Sequence, residues 1–385
     1  MRQNFFQLAV SALLLVGAAA VAAPRDLPAG KDSDVIETLP ARVKSAAGPA
    51  GAPLAPDKAA ASAREWINLS RLEAEPRYLG RAQAVLAPWW DKPDAPAALA
   101  VLQATVQQSR HEFDAARNTL QAALRRDPSQ AQGWLTLATL ERLAGRYDAA
   151  AAACNEVART GAALYAQACS LETVSLRGGF DEARRGYGLL AQGTADARTR
   201  AWLLSLLAES EERAGRDAGA AAAYEASLAA DADGYTALAY ADMMLRTQRP
   251  GEALKALEKQ PASDATLLRQ AYAYRQLGDP KWQALHGELR ERFAALDARG
   301  EDRAPHARER ALGALWLDGD AQAALQSAQL NLGLQKEPLD WWLALQSAQR
   351  AGRPDVLSAL RRELAAIGLQ DARLANLSTA TVRSQ

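Results

Sequence analysis

Three carboxylates, Glu172, Glu209 and Asp242, each follow an aromatic residue by seven positions: Tyr165, Trp202 and Tyr235. Seven residues is close to two helical turns, so on helices each acid would share a face with its aromatic. Arg142, Arg213, Arg246 and Arg275 flank the set in the chain. Acids in a row beside flat rings are suited to holding a partly basic segment of another molecule, with the rings as anchors. They supply no nucleophile with an adjacent base, which covalent chemistry would need. The same residue types also suit solvated helix faces and rings packed on neighbouring helices, and both readings stay open at this level.

Little else in the chain looks reactive. The histidines, His111, His286 and His306, are scattered with no H-E-x-x-H spacing, and no G-x-S-x-G, phosphate loop or C-x-x-C is present. The expectation is therefore a protein that is no enzyme, with no metal and no cofactor. Cys154 and Cys169 are the only cysteines. A turn near Gly161 lies midway between them, so antiparallel helices would bring them side by side. They are a disulfide candidate, or else two small residues filling the space between helices.

The elements that must position these residues show first in the composition. Lys plus Arg and Asp plus Glu both number 45 in 385 residues, so the chain has no basic field with which to attract nucleic acid or an anionic membrane. Hydrophobic residues make up 49% but aromatics only 6%, and a core so rich in alanine calls for closely packed helices. Arg2 and the run Leu8 to Ala23 read as a signal peptide over residues 1–22, with Ala20 and Ala22 as the cleavage motif. The run is short for a membrane span, so the mature chain is expected in the periplasm without one. Residues 23–58, rich in Pro, Gly and Ala, read as a flexible tether. Within them DSDVIETLPARV has an apolar rhythm that fits a short docking helix or a disordered stretch.

From there a pattern recurs. HEFDAARNTLQAALRRDP, starting at His111, is echoed 34 residues on by GRYDAAAAACNEVARTGA. Alanine returns at Ala82, Ala116, Ala150, Ala183, Ala220, Ala253 and Ala324. Glycine precedes it by five at Gly145, Gly178, Gly215 and Gly319, and an aromatic by three at Phe113, Tyr147 and Phe180. Trp66 and Trp134 stand sixteen before it, while the last unit replaces the alanine by Leu357 but keeps Trp341 and Gly352 in register. The glycine suits the left-handed end of a first helix, and the alanine suits the point where a second helix crosses it. The leucine or tyrosine four residues on (Leu86, Leu120, Tyr187, Tyr224, Leu257) would fill the rest of the core.

A period near 34 with this punctuation resembles the tetratricopeptide repeat. PRYLGRAQAVLAPWW is similar to secreted bacterial members of that family with no assigned role. The resemblance implies an all-α, right-handed solenoid of about nine hairpins over residues 59–372, followed by a tail over 373–385. It also implies that first helices line a concave face, which puts Tyr165, Trp202, Tyr235, Glu172, Glu209 and Asp242 in a groove for a protein or extended peptide. A second candidate is the stretch Glu288 to Leu312, which breaks the period with a polar loop at 298–305, either a binding loop or a tolerated insertion. The resulting expectation is a periplasmic adaptor or scaffold in envelope assembly or complex formation, monomeric when alone. The alternative is a fixed structural subunit of a secretion or polysaccharide-export machine.

Overall fold

The computed structural model describes residues 54–379. The signal peptide, nearly all of the tether with DSDVIETLPARV, and residues 380–385 lie outside them. The described residues form an all-α solenoid with no strand. Its helices pair into nine antiparallel hairpins: α1 Pro56–Glu73 with α2 Arg77–Leu86, α3 Ala97–Ser109 with α4 Phe113–Arg126, and α5 Ala131–Leu143 with α6 Tyr147–Arg159. Then come α7 Ala163–Leu176 with α8 Phe180–Gly193, α9 Ala197–Arg213 with α10 Asp217–Ala230, and α11 Gly234–Arg246 with α12 Pro250–Leu257. The last three are α13 Asp264–Gln276 with α14 Lys281–Ala298, α15 Ala307–Gly313 with α16 Ala321–Leu334, and α17 Pro338–Arg350 with α18 Pro354–Ile367. A single helix, α19 Ala372–Thr379, follows. Two boundaries differ from the sequence reading: helix begins at Pro56 inside the expected tether, and α19 occupies most of the expected tail.

The repeat register is borne out at its most demanding position. Ala82, Ala116, Ala150, Ala183, Ala220, Ala253 and Ala324 are all 0% exposed, because each lies where two helices approach too closely for a larger side chain. Leu86, Leu120, Tyr187, Tyr224 and Leu257 are buried one turn further on. The turns share one geometry, with a wider closure at Gly319, where Asp320 N–H bonds Ala314 O at 3.0 Å. Gly145, Gly178, Gly215, Gly319 and Gly352 have positive φ, and the residue after the first of these, Arg146, donates its backbone N–H to Glu141 O at 2.8 Å. Gly179 to Val174 and Arg216 to Glu211, both at 2.9 Å, repeat that closure. His111 and Gln248 take the same left-handed turn without being glycine, with φ of 63° and 60°. The closing hydrogen bonds hold there too, from Glu112 to Gln107 and from Arg249 to Met244.

Cys154, at the buried place where other second helices carry Leu or Tyr, is bonded to Cys169 across the turn, with Cα atoms 5.5 Å apart. The pairing staples α6 to α7 and constrains the unfolded chain over a 15-residue separation.

The array is not open-ended. Its last hairpin comes back against the turn edge of hairpins three to five. Lys336 N–H bonds to Leu143 O at 2.7 Å and Gln370 N–H to Leu176 O at 2.9 Å, so the ends of α5 and α7 give otherwise unused carbonyls to the C-terminal segment. Tyr147 and Leu176 share one apolar cluster with Leu332, Trp341, Leu369 and Leu374. Arg373 completes the contact by donating to Glu212 Oε1 at 2.8 Å, across a separation of 161 residues.

Candidate partner-binding face

The three aromatics stand on the first helices α7, α9 and α11, each within the first two turns. Tyr165 and Trp202 are in contact, with ring centroids 5.7 Å apart. Tyr235 donates its hydroxyl to Glu209 Oε1 at 2.8 Å. Tyr165 is 41% exposed and Tyr235 61%, whereas the tyrosines of the second helices, Tyr147, Tyr187 and Tyr224, are buried. The rings on the two helix types therefore have different surroundings: the second-helix set is core, while Tyr165 and Tyr235 face solvent and Trp202 is half-buried against a cluster with Leu203 and Leu206.

The carboxylates do not form a free acidic row. Glu172 pairs with Arg142 at 2.8 Å, Glu209 with Arg213 at 3.6 Å, and Asp242 with Arg269 at 2.7 Å. Each acid is answered by an arginine on its own or an adjacent first helix, because carboxylates set this deep need a counter-charge. The remaining flanking arginines are structural. Arg246 bonds Asp217 at 2.6 Å and Glu212 at 3.3 Å, and Arg275 caps the carbonyls of Trp316 and Leu317 at 2.6 Å. Arg213 also donates to Ser175 Oγ at 3.1 Å.

Burial pushes the Glu209 carboxyl up to about 7; Arg213 opposes the shift, and the negative charge of Glu172 adds to it. Burial also raises Asp242, against the pull of Arg269. Tyr235 is held well above the usual phenol range, chiefly by the charge of Glu209, to which its hydroxyl is bonded. Glu337, at the head of α17, adds to the shifts of both Glu209 and Tyr235. The C-terminal hairpin thus lies within electrostatic reach of the aromatic face. Arg269, Glu337 and Glu212 were not singled out from sequence, since their ion-pair partners lie 27 or more residues away.

The second candidate stretch is ordered. α14 runs 18 residues, and the loop after it is held by Asp297, which pairs with Arg303 at 2.8 Å and Arg310 at 2.9 Å. A cavity of about 490 Å³ lies between α14 and α16, with Leu289, Phe293, Leu317 and Leu330 among its walls. Among the described residues no cluster of His, Cys, Asp and Glu has the arrangement of a metal site. No described helix is long and apolar enough to cross a membrane.

Residues 101–165, from α3 into α7, match the family model described as tetratricopeptide repeat. Over that span the chain carries the tetratricopeptide repeat. The fold is similar to that of a Rap protein solved in complex with competence and sporulation factor: TM-score 0.52, 10% identity, covering 84% of this chain and 88% of that one. It is also similar to the APC/C hetero-tetramer Cut9–Hcn1: TM-score 0.52, 14% identity, covering 83% of this chain and 62% of that one. No curated protein matches it in sequence. Tetratricopeptide arrays are in general non-catalytic scaffolds for protein partners.

Proposed function

We infer that this tetratricopeptide protein is a non-enzymatic adaptor that holds a protein or extended peptide against the first helices of hairpins four to six. One observation carries the reading: Tyr165 and Tyr235 are large exposed rings on successive hairpins of the same face, with Trp202 between them. Exposed aromatics in a row are what interface anchors look like before a partner covers them. Because the nearby acids already have arginine partners, the guest is recognised by apolar contact and hydrogen bonding more than by positive charge. A partner cation would have to displace an arginine to reach Glu172 or Asp242.

The compartment we assign is the periplasm. Support comes from the leader read over residues 1–22 and from the buried disulfide, a bond that persists in oxidising compartments. In this reading residues 23–58 serve as a tether ahead of the array.

The test is photo-cross-linking in intact cells. A photo-reactive residue replaces Tyr235 in one strain and Leu189, an exposed residue of second helix α8, in another. The adaptor reading expects one dominant partner from position 235 alone. The same set of proteins from both positions would instead describe a subunit embedded in a larger machine.

A further inference from the structure

We propose that the C-terminal segment Leu332–Leu377 is a latch, which opens without unfolding the rest of the array and so governs access to the aromatic face. The gating half rests on the reading of that face as the partner site; the opening half stands on the contacts alone.

Those contacts are specific and lie along one edge, over an apolar cluster that Tyr147 and Leu176 share with Trp341, Leu369 and Leu374. Two backbone hydrogen bonds, Lys336 to Leu143 O and Gln370 to Leu176 O, attach the segment at the ends of two first helices. Both accepting carbonyls lie in the last turn of their helix, so release returns them to water and breaks no helical ladder. The turns beneath are bare. A Cβ on Gly145 would stand 3.3 Å from Ile367 Cγ2, one on Gly178 3.4 Å from Gln370 Cβ, and one on Gly215 3.1 Å from Ala372 Cβ. The turn glycines thus do two things: they allow the left-handed turn, and they leave room for the returning chain.

The ionic part of the latch has an alternative partner in place. Glu212 accepts from Arg373 at 2.8 Å, but also from Arg246 at 3.3 Å and from the Tyr224 hydroxyl at 3.2 Å. Arg373 in turn holds Asp371 at 2.6 Å. If α19 leaves, neither Glu212 nor Arg373 is left as a lone charge, so opening does not carry the full cost of an orphaned buried ion. The segment that closes the edge is tied to the two helices that carry Tyr165 and Trp202, through Leu176 of α7 and Glu212 of α9. Its own links to hairpin eight are strong: Arg308 bonds Asp340 at 2.7 and 2.9 Å, and Asn331 bonds it at 2.6 Å. Those bonds hold the base of the latch to hairpin eight.

Native-state amide exchange tests the opening. The Lys336 and Gln370 amides are expected to exchange at least about tenfold faster than amides inside α9 such as Leu206, with Arg373→Gln speeding the first two further and leaving Leu206 unchanged. Equal exchange at all three sites, with or without the substitution, overturns the latch. The gating is tested by locking it. Gly178→Cys with Gln370→Cys places two Cβ atoms near bonding distance, and each single variant serves as control. Photo-capture from position 235 is expected to be lost in the locked protein and to return on mild reduction, with wild type reduced in parallel to account for Cys154–Cys169. Undiminished capture by the locked protein overturns gating while leaving the aromatic face intact as a partner site. Absence of capture in wild type and locked protein alike overturns the partner site and gating with it, and amide exchange then decides whether the latch opens.

Discussion

In α4, α8 and α10 a fully enclosed alanine is followed four residues later by a buried Leu or Tyr; in α18 the equivalent place is the half-buried Leu357. Over its 18 residues α14 buries only Leu289. Hairpins two to six thus build their core chiefly from residues of the same and neighbouring hairpins. The last three hairpins share an apolar cluster that runs on to Tyr147 and Leu176, and they add polar contacts made at a distance: Lys336 with Leu143, Arg373 with Glu212. A repeat protein with only nearest-neighbour contacts behaves as a one-dimensional stack. Here the returning C-terminus adds a second kind of bond, and the two regions should respond differently to damage.

The largest effect is expected in the returning region. Trp341 is 0% exposed within the cluster that joins α17 to hairpins three and four. Trp341→Ala should lower stability by about 3–5 kcal/mol, through lost burial and a residual cavity. Its counterpart in the repeat register, the half-buried Trp134, should cost clearly less when truncated. Urea titrations of both variants measure the difference, and equal losses would mean that the C-terminal hairpin is no more integrated than any other.

Next in size is the staple of the regular region. Replacing both Cys154 and Cys169 by Ala should cost about 3 kcal/mol by the loop-entropy argument, concentrated in hairpins three and four. Ala150→Leu, one turn before Cys154, should then cost about 1–3 kcal/mol by forcing α5 and α6 apart. An unchanged melting temperature for that variant would show that the buried position of the repeat is misplaced.

The history of each region in the sequence explains why one was legible and the other was not. The period, the turn glycines and the buried alanines are local features, repeated often enough to be read from spacing, and the structure places every reference alanine at full burial. The Cys154–Cys169 pairing was equally local, needing only a turn between two helices. The rows at Tyr165, Trp202, Tyr235 and Glu172, Glu209, Asp242 were visible as spacings, but their meaning was not. Whether an acid is free or neutralised depends on arginines such as Arg269, which the chain alone does not place beside Asp242. The closure by Lys336, Gln370 and Arg373 left no mark at all, because two backbone amides and a contact across 161 residues have no periodicity.

A pH titration sharpens the comparison at the face itself. Glu209 has its carboxyl raised to about 7 in the fold, so folding favours its protonated form. Wild type should therefore lose stability as pH rises from the ordinary glutamate range to about 7, and show no further change from this group above it. Glu209→Gln should remove that slope. The gain at pH 8 is expected at about 1–2 kcal/mol, since loss of the Arg213 pairing offsets part of the desolvation relieved. A variant whose stability falls between pH 5 and 7 just as wild type does would show that the dependence arises elsewhere.

The smallest expected change in stability separates folding from function. Tyr235 is 61% exposed and is tied by its hydroxyl bond to Glu209, so Tyr235→Ala should alter stability by no more than about 0.5 kcal/mol. Tyr224, one hairpin earlier but on a second helix and 1% exposed, should cost several times as much when truncated. If the exposed ring is an interface anchor, Tyr235→Ala should abolish co-purification of the partner captured at that position while leaving the melting temperature in place. Tyr224→Phe, which keeps the buried ring and removes only the hydroxyl bonded to Glu212, should retain the partner. Loss of partner in both variants would trace binding to the integrity of the array and remove Tyr235 from the interface.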